Sequence, residues 1–89
     1  MKAVISVVGK DSVGIIAKVS AECANCGVNI LDISQSVLDS YFTMIMITDI
    51  DHITVPFAEF VDRMSSLGKA QHLDIRTMHE DIFNTMHRI

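Results

Sequence analysis

The stretch Gly9-Lys10-Asp11-Ser12-Val13-Gly14-Ile15-Ile16, followed by Cys26-Gly27-Val28-Asn29-Ile30 and then Ser34-Gln35, decides the fold. Before it, Ala3 to Val8 is a β-branched run suited to a buried strand. After it, Ile15, Ile16, Val19, Cys23 and Cys26 recur at helical spacing, with Lys18, Glu22 and Asn25 on the other face. The stretch therefore predicts a strand ending at Gly9, a helix beginning near Ser12, a stop at Gly27 and a new strand carrying Asn29. It puts a carboxylate, a helix N-terminus, a glycine and an amide near one sheet edge, the parts of a site for a small zwitterion.

Working outward, Val28 to Leu38 predicts a long strand with Leu31, Ile33, Gln35 and Val37 on one face. Asp39-Ser40 is a turn, and Tyr41 to Asp49 returns to make a hairpin. Thr54 reads as an N-cap and Pro56 as a first-turn residue. Phe57, Phe60, Val61, Met64 and Leu67 form the stripe of a second helix, and Gly68 ends it. Leu73 to His79 alternates as a last strand. Residues 80–89 carry Ile82, Phe83, Met86 and Ile89 at helical spacing, with acids first and His87-Arg88 last. The expected fold is α+β: a ferredoxin-like βαββαβ sandwich, a four-stranded antiparallel sheet with two helices on one face, plus a short amphipathic C-terminal helix. The domain is expected over 1–79 and the tail over 80–89. Met44, Met46 or Met78 are candidates to line the second sheet face, closed by the tail or by a second subunit.

Composition narrows the function. Eighty-nine residues make one small domain. A chain this size, 49 % hydrophobic and without a disulfide framework, often completes its core by self-association, so a homodimer is expected. The net charge of −4 with scattered Lys and Arg argues against a phosphate-binding surface for nucleic acid and disfavours an anionic membrane. The longest near-apolar run, Tyr41 to Thr48, has strand length and not the ~20 residues of a membrane span. Gly9, Lys10 and Asp11 interrupt the N-terminal apolar stretch before a signal-peptide core forms, and the expected location is cytoplasmic.

The candidate site residues each have a plainer reading. Asp11 or Ser12 can simply cap the first helix. The sharper reading gives Asp11 the ammonium of an amino acid, and the N–H groups of Ser12 to Ile15 its carboxylate. Gly14 costs up to roughly 1 kcal/mol in a first helical turn, which points to close approach by a ligand or by a neighbouring backbone. Asn29 can bond its own backbone. Gln35, on a face with apolar residues, needs a partner.

These residues together resemble an ACT domain, and the resemblance spans nearly the whole chain. It looks closest to the small stand-alone bacterial members, similar to the glycine-cleavage regulator group. It implies a non-catalytic regulatory module that binds an amino acid at a domain interface. By position it implies ligand contacts at Asp11, Ser12, Val13, Gly14, Asn29, Ile30 and Gln35. Val13 departs from the common pattern, which has proline before the glycine. The alternative function is a protein-protein interaction module without a small ligand.

Other chemistry fares worse. Cys23-Ala24-Asn25-Cys26 is a CxxC at the wrong end of its helix for a low-pKa thiol, on the apolar stripe, and reads as core. His52, His72, His79 and His87 form no i, i+4 ligand pair, so no metal or cofactor is expected. An acylphosphatase-like enzyme on this fold looks to need an arginine in the first loop, where this chain has Lys10. No catalytic residue is assigned.

Overall fold

The computed structural model describes residues 1–10 and 13–86. Along the chain come β1 (Lys2–Lys10), α1 (Ile15–Asn25), β2 (Asn29–Leu38), β3 (Tyr41–Asp49), α2 (Phe57–Gln71), β4 (Leu73–His79) and α3 (Glu80–Met86). The strands form one antiparallel sheet in the order β2-β3-β1-β4. This is the expected ferredoxin-like βαββαβ fold with the extra helix. Of the tail, His87, Arg88 and Ile89 lie outside the described residues.

Register fixes which side chains share a face. Val7 lies between Met44 and Ile75, and Ile5 between Met46 and Thr77. This row, with Ala3 and Phe42, is buried together with Ile15, Val19 and Cys23 of α1 and Phe60 and Met64 of α2. Each such large apolar side chain contributes about 1.5–3 kcal/mol by leaving water. Thr48 belongs to the same buried row, and its hydroxyl donates to the Ala3 carbonyl at 2.9 Å. Met44 and Met46 thus face the helices. Only Met78 of the three methionines turns to the other face, beside Val4.

Two helix boundaries differ from the sequence reading. Pro56, not Thr54, is the N-cap of α2, with extended ψ of 143°. The Thr54 N–H instead donates to the Cys26 carbonyl at 2.8 Å, so this residue ties the loop to the end of α1. At the other end α2 runs through Gly68 and stops at His72, which takes the left-handed conformation at φ 59°. Gly68 is buried against β4: a Cβ there would meet the Leu73 carbonyl oxygen at 2.6 Å. This glycine serves close helix–strand packing and not helix termination. Gly27, by contrast, does follow the cap residue Cys26 at φ 71°.

The second sheet face is half covered. α3 packs on β1 and β4. Beneath it Val4 is 1 % exposed, but Val8, further along the same strand and face, is 46 % exposed.

Candidate functional site

The β1–α1 connection delivers the chain to Gly14, the N-cap of α1, at φ 86° and ψ 9°. A side chain in that left-handed region costs about 1–2 kcal/mol, so glycine is what the backbone requires here. Space does not require it. Among the described residues, a Cβ on Gly14 would meet nothing closer than the Lys18 Cε, at 4.0 Å. No described residue therefore packs against Gly14 closely enough to account for it. Val13 next to it is 97 % exposed. Asp11 and Ser12, the two polar candidates of this loop, lie outside the described residues.

Around Gly14 the structure assembles groups that the sequence reading left on a solvated face. Lys18 Nζ donates to Gln71 Oε1 at 2.7 Å, which bridges the first turns of α1 to the end of α2. The Gly14 carbonyl accepts the Lys18 N–H at 3.0 Å and opens the helical ladder. Nearby, Gly9 packs against Leu73 and the His72 carbonyl, so the end of β1 and the α2–β4 connection are neighbours. α1 has no acidic residue in its first turn, which leaves the positive end of its dipole without a counter-charge on the helix itself. The i, i+4 spacing of Gly14 and Lys18 was the sequence signal for this contact.

Asn29 and Ile30 are elsewhere. Asn29 is opposite Asp49, which is opposite Lys2, at the start of β1. Leu38 is opposite Tyr41, which is opposite Lys10, at the end of β1. At ~3.3 Å per residue the nine-residue β1 separates these ends by roughly 25 Å. Within one chain the structure does not bring Asn29 beside Gly14, contrary to the reading that put both near one place. Gln35 is on the helix-side face, opposite Met44. It is exposed, so water satisfies it and no buried partner is demanded.

That exposure is general along β2. The strand is the sheet edge, and apart from Ile30 every residue in it is exposed. Leu31, Ile33, Val37 and Leu38 are all among the exposed large apolar residues. A bulge between Ile30 and Asp32 makes Leu31 the extra residue, while Ile33, Gln35 and Val37 keep the helix-side face. Edges are ordinarily blunted by lysine, proline or short length. β2 has ten residues with neither lysine nor proline. Ile16 of α1 is exposed as well.

The cysteines are excluded from this region. Cys23 is fully buried, and burial, then the neighbouring Cys26 and Glu22, pushes its thiol up to about 12. Cys26 is buried too and is raised by desolvation first. Both are poor nucleophiles. Among the described residues no group of three or more His, Cys, Asp or Glu is placed to hold a metal ion. No helix among them is long and apolar enough to cross a membrane.

A βαββαβ sandwich with an open glycine-capped first helix and a bare β2 edge defines the class: a small ferredoxin-like domain of the ACT type. The family model described as "ACT domain" matches residues 2–78, and the chain belongs to that family. It is 52 % identical to a UPF0237 protein of Clostridium perfringens over 89 residues, covering all of both chains. Among solved structures it is similar to an ACT domain protein from Streptococcus pneumoniae, with TM-score 0.81, 42 % identity and 93 % of each chain covered. It is also similar to a putative glycine cleavage system transcriptional repressor, with TM-score 0.69 and 26 % identity, over 85 % of this chain and 43 % of that one.

Proposed function

We propose that this chain is a non-catalytic, cytoplasmic regulatory module that binds a small amino acid at the boundary between two copies. The observation that carries the reading is the long, unprotected β2 edge with its uncovered helix-side residues Ile33, Gln35 and Val37. A second copy pairing its β2 antiparallel to this one, about a two-fold near the strand's middle, extends the sheet to eight strands. That pairing brings the partner's first β2 residues to this chain's Leu38 end. Asn29 of the partner subunit then arrives at the same end of the sheet as the exit of β1 toward Gly14, three strands away at about 14 Å. The ligand carboxylate is received by the first N–H groups of α1, with Lys18 beside them. Asp11 is proposed for the ammonium, and Gln35 for the floor of the cleft. The similarity to a protein named as a transcriptional repressor of glycine cleavage supports a regulatory output. That output requires the ligand to favour one arrangement of the copies over another.

Thermal denaturation with each proteinogenic amino acid at millimolar concentration tests the reading. A ligand at 100 times its dissociation constant adds about 2.7 kcal/mol. For a domain of this size that is roughly 10–20 °C in Tm. The response should vanish in Asn29→Ala. A mixture of Asn29→Ala with Gly14→Val should recover part of it, because the mixed dimer keeps one intact site. No stabilisation by any amino acid refutes the proposal.

A further inference from the structure

Lys18 differs from the two bonded arginines in what it holds. Among the described residues, Arg63 reaches the carboxylates of Glu59 and Glu22, and Arg76 reaches that of Asp74. The Lys18 ammonium donates instead to a neutral amide, Gln71 Oε1, at 2.7 Å. Glu22, four residues along α1, has the spacing to pair with it. Glu22 is engaged elsewhere, accepting from Arg63 at 3.5 Å and from the Cys26 thiol at 3.8 Å. The Lys18 stem points back along the helix, as helical side chains do. Its Cε lies 4.0 Å from the place of a Cβ on Gly14. The charge is thus held near the start of α1, where the helix has no acid in its first turn.

We propose that Lys18 and Gln71 form a latch on the ligand site: an arriving carboxylate takes the Lys18 ammonium from Gln71, and the end of α2 is released. The inference rests on the reading that a ligand carboxylate docks at the start of α1, and it names how that site is regulated. Charge argues for the exchange first. A carboxylate carries a full charge where the Gln71 amide offers only a dipole, so it is the stronger partner for an ammonium. Reach argues for it second. Cε already stands beside Gly14, so only the terminal torsion of the lysine has to turn.

The released end leads back to the sheet. Gln71 is the last residue of α2 and is half-buried. His72, which follows, holds the left-handed conformation at φ 59°, and its N–H reaches the Lys69 carbonyl at 3.4 Å, a long hydrogen bond. The His72 carbonyl abuts Gly9 at the end of β1. Freeing Gln71 therefore passes occupancy at Gly14 to the α2–β4 connection within one copy, separately from any change at the β2 edge.

Calorimetric titration of the full chain with each proteinogenic amino acid tests it, in wild type, Gln71→Ala, Lys18→Met and the double variant. Circular dichroism with a thermal melt checks that each variant folds. In Gln71→Ala the carboxylate no longer competes with an amide, and the tightest amino acid should bind about two- to fivefold tighter. Lys18→Met should weaken it by about twofold or more. The double variant should match Lys18→Met, because the latch is already gone. An affinity that Gln71→Ala leaves unchanged or weakens, with wild type binding, overturns the latch and leaves the site standing. No amino acid bound by wild type or by Gln71→Ala overturns the binding reading, and the latch with it. NMR of the Gln71 side-chain amide is an independent readout. Saturating ligand should move its resonances to where Lys18→Met puts them without ligand, and resonances that stay at their ligand-free positions refute the exchange.

Discussion

Gly68→Ala sets two effects of opposite sign against each other. Gly68 is in the last turn of α2, without a positive φ, so alanine meets no backbone obstacle. Propensity alone makes the change stabilising by about 1 kcal/mol. Packing opposes it. The new Cβ would stand 2.6 Å from the Leu73 carbonyl oxygen, 3.1 Å from Ile75 Cγ1 and 3.3 Å from Ile75 Cβ. The nearest obstacle is backbone, and Leu73 is held opposite Gly9 in the β1–β4 ladder with its own side chain packed there. Leu73 cannot withdraw, so α2 has to lift from β4. Overpacking of this kind costs about 1–3 kcal/mol, and a backbone obstacle belongs in the upper half of that range. The expected net loss is about 1–2 kcal/mol, a fall in Tm of about 5–10 °C. Urea denaturation measures it. Ala70→Gly, at an exposed position of the same turn, calibrates propensity and should cost about 1 kcal/mol. A Gly68→Ala protein as stable as wild type, or more so, would refute the close-packing account.

Gly14→Ala should destabilise by about 1–2 kcal/mol through backbone strain alone, and Gly14→Asn by less, because asparagine tolerates the left-handed region. Equal losses in urea melts would mean that the side chain, and not φ, is at fault. Thr48→Val removes the buried bond to the Ala3 carbonyl and should cost about 1 kcal/mol in the same assay. Cys23 yields a pH dependence. Its thiol is raised from 9.0 to about 12 on folding, so the neutral form belongs to the native state. The contribution is fully present below pH 9 and is lost as pH rises from 9 toward 12. At pH 10 the loss is about 1.4 kcal/mol, and Cys23→Ala should remove that part of the slope. A slope unchanged by the substitution refutes the assignment.

The element order was legible because strand and helix periods alternate cleanly and Gly27 and Asp39-Ser40 are strong punctuation. Spacing alone misjudged Gly68. A glycine near a helix end and a glycine beneath a strand look alike in one dimension. Only the approach of Leu73 tells them apart. Met44 and Met46 were ambiguous for a similar reason, since parity assigns them to one face but not to the helix side. Gln35 shared its face with apolar residues, which suggested burial. Edge position decided otherwise, because α1 and α2 leave β2 bare. Asn29 was the largest displacement. Motif proximity in sequence concealed that a whole helix separates it from Gly14.

That separation is topological. β1 and β2 both run antiparallel to β3, hence parallel to each other, and α1 carries the chain from the end of one to the start of the other. No loop movement can join the exit of β1 to the entry of β2 in one molecule. Antiparallel pairing of two β2 edges exchanges the ends, so the proposed arrangement creates a shared site that neither copy has alone. Ligand affinity and association are then one linked equilibrium. A ligand bound across the boundary stabilises the pair, and by reciprocity pairing raises the affinity for ligand by the same factor. Under the proposed arrangement, a chain of 89 residues with little interior to rearrange would gain from this linkage a switch without a mobile core. That arrangement would tie the switch to the exposed β2 strand, so substitutions at Ile33 or Val37 should act on a ligand response through assembly, and substitutions at Gly14 should act on it directly.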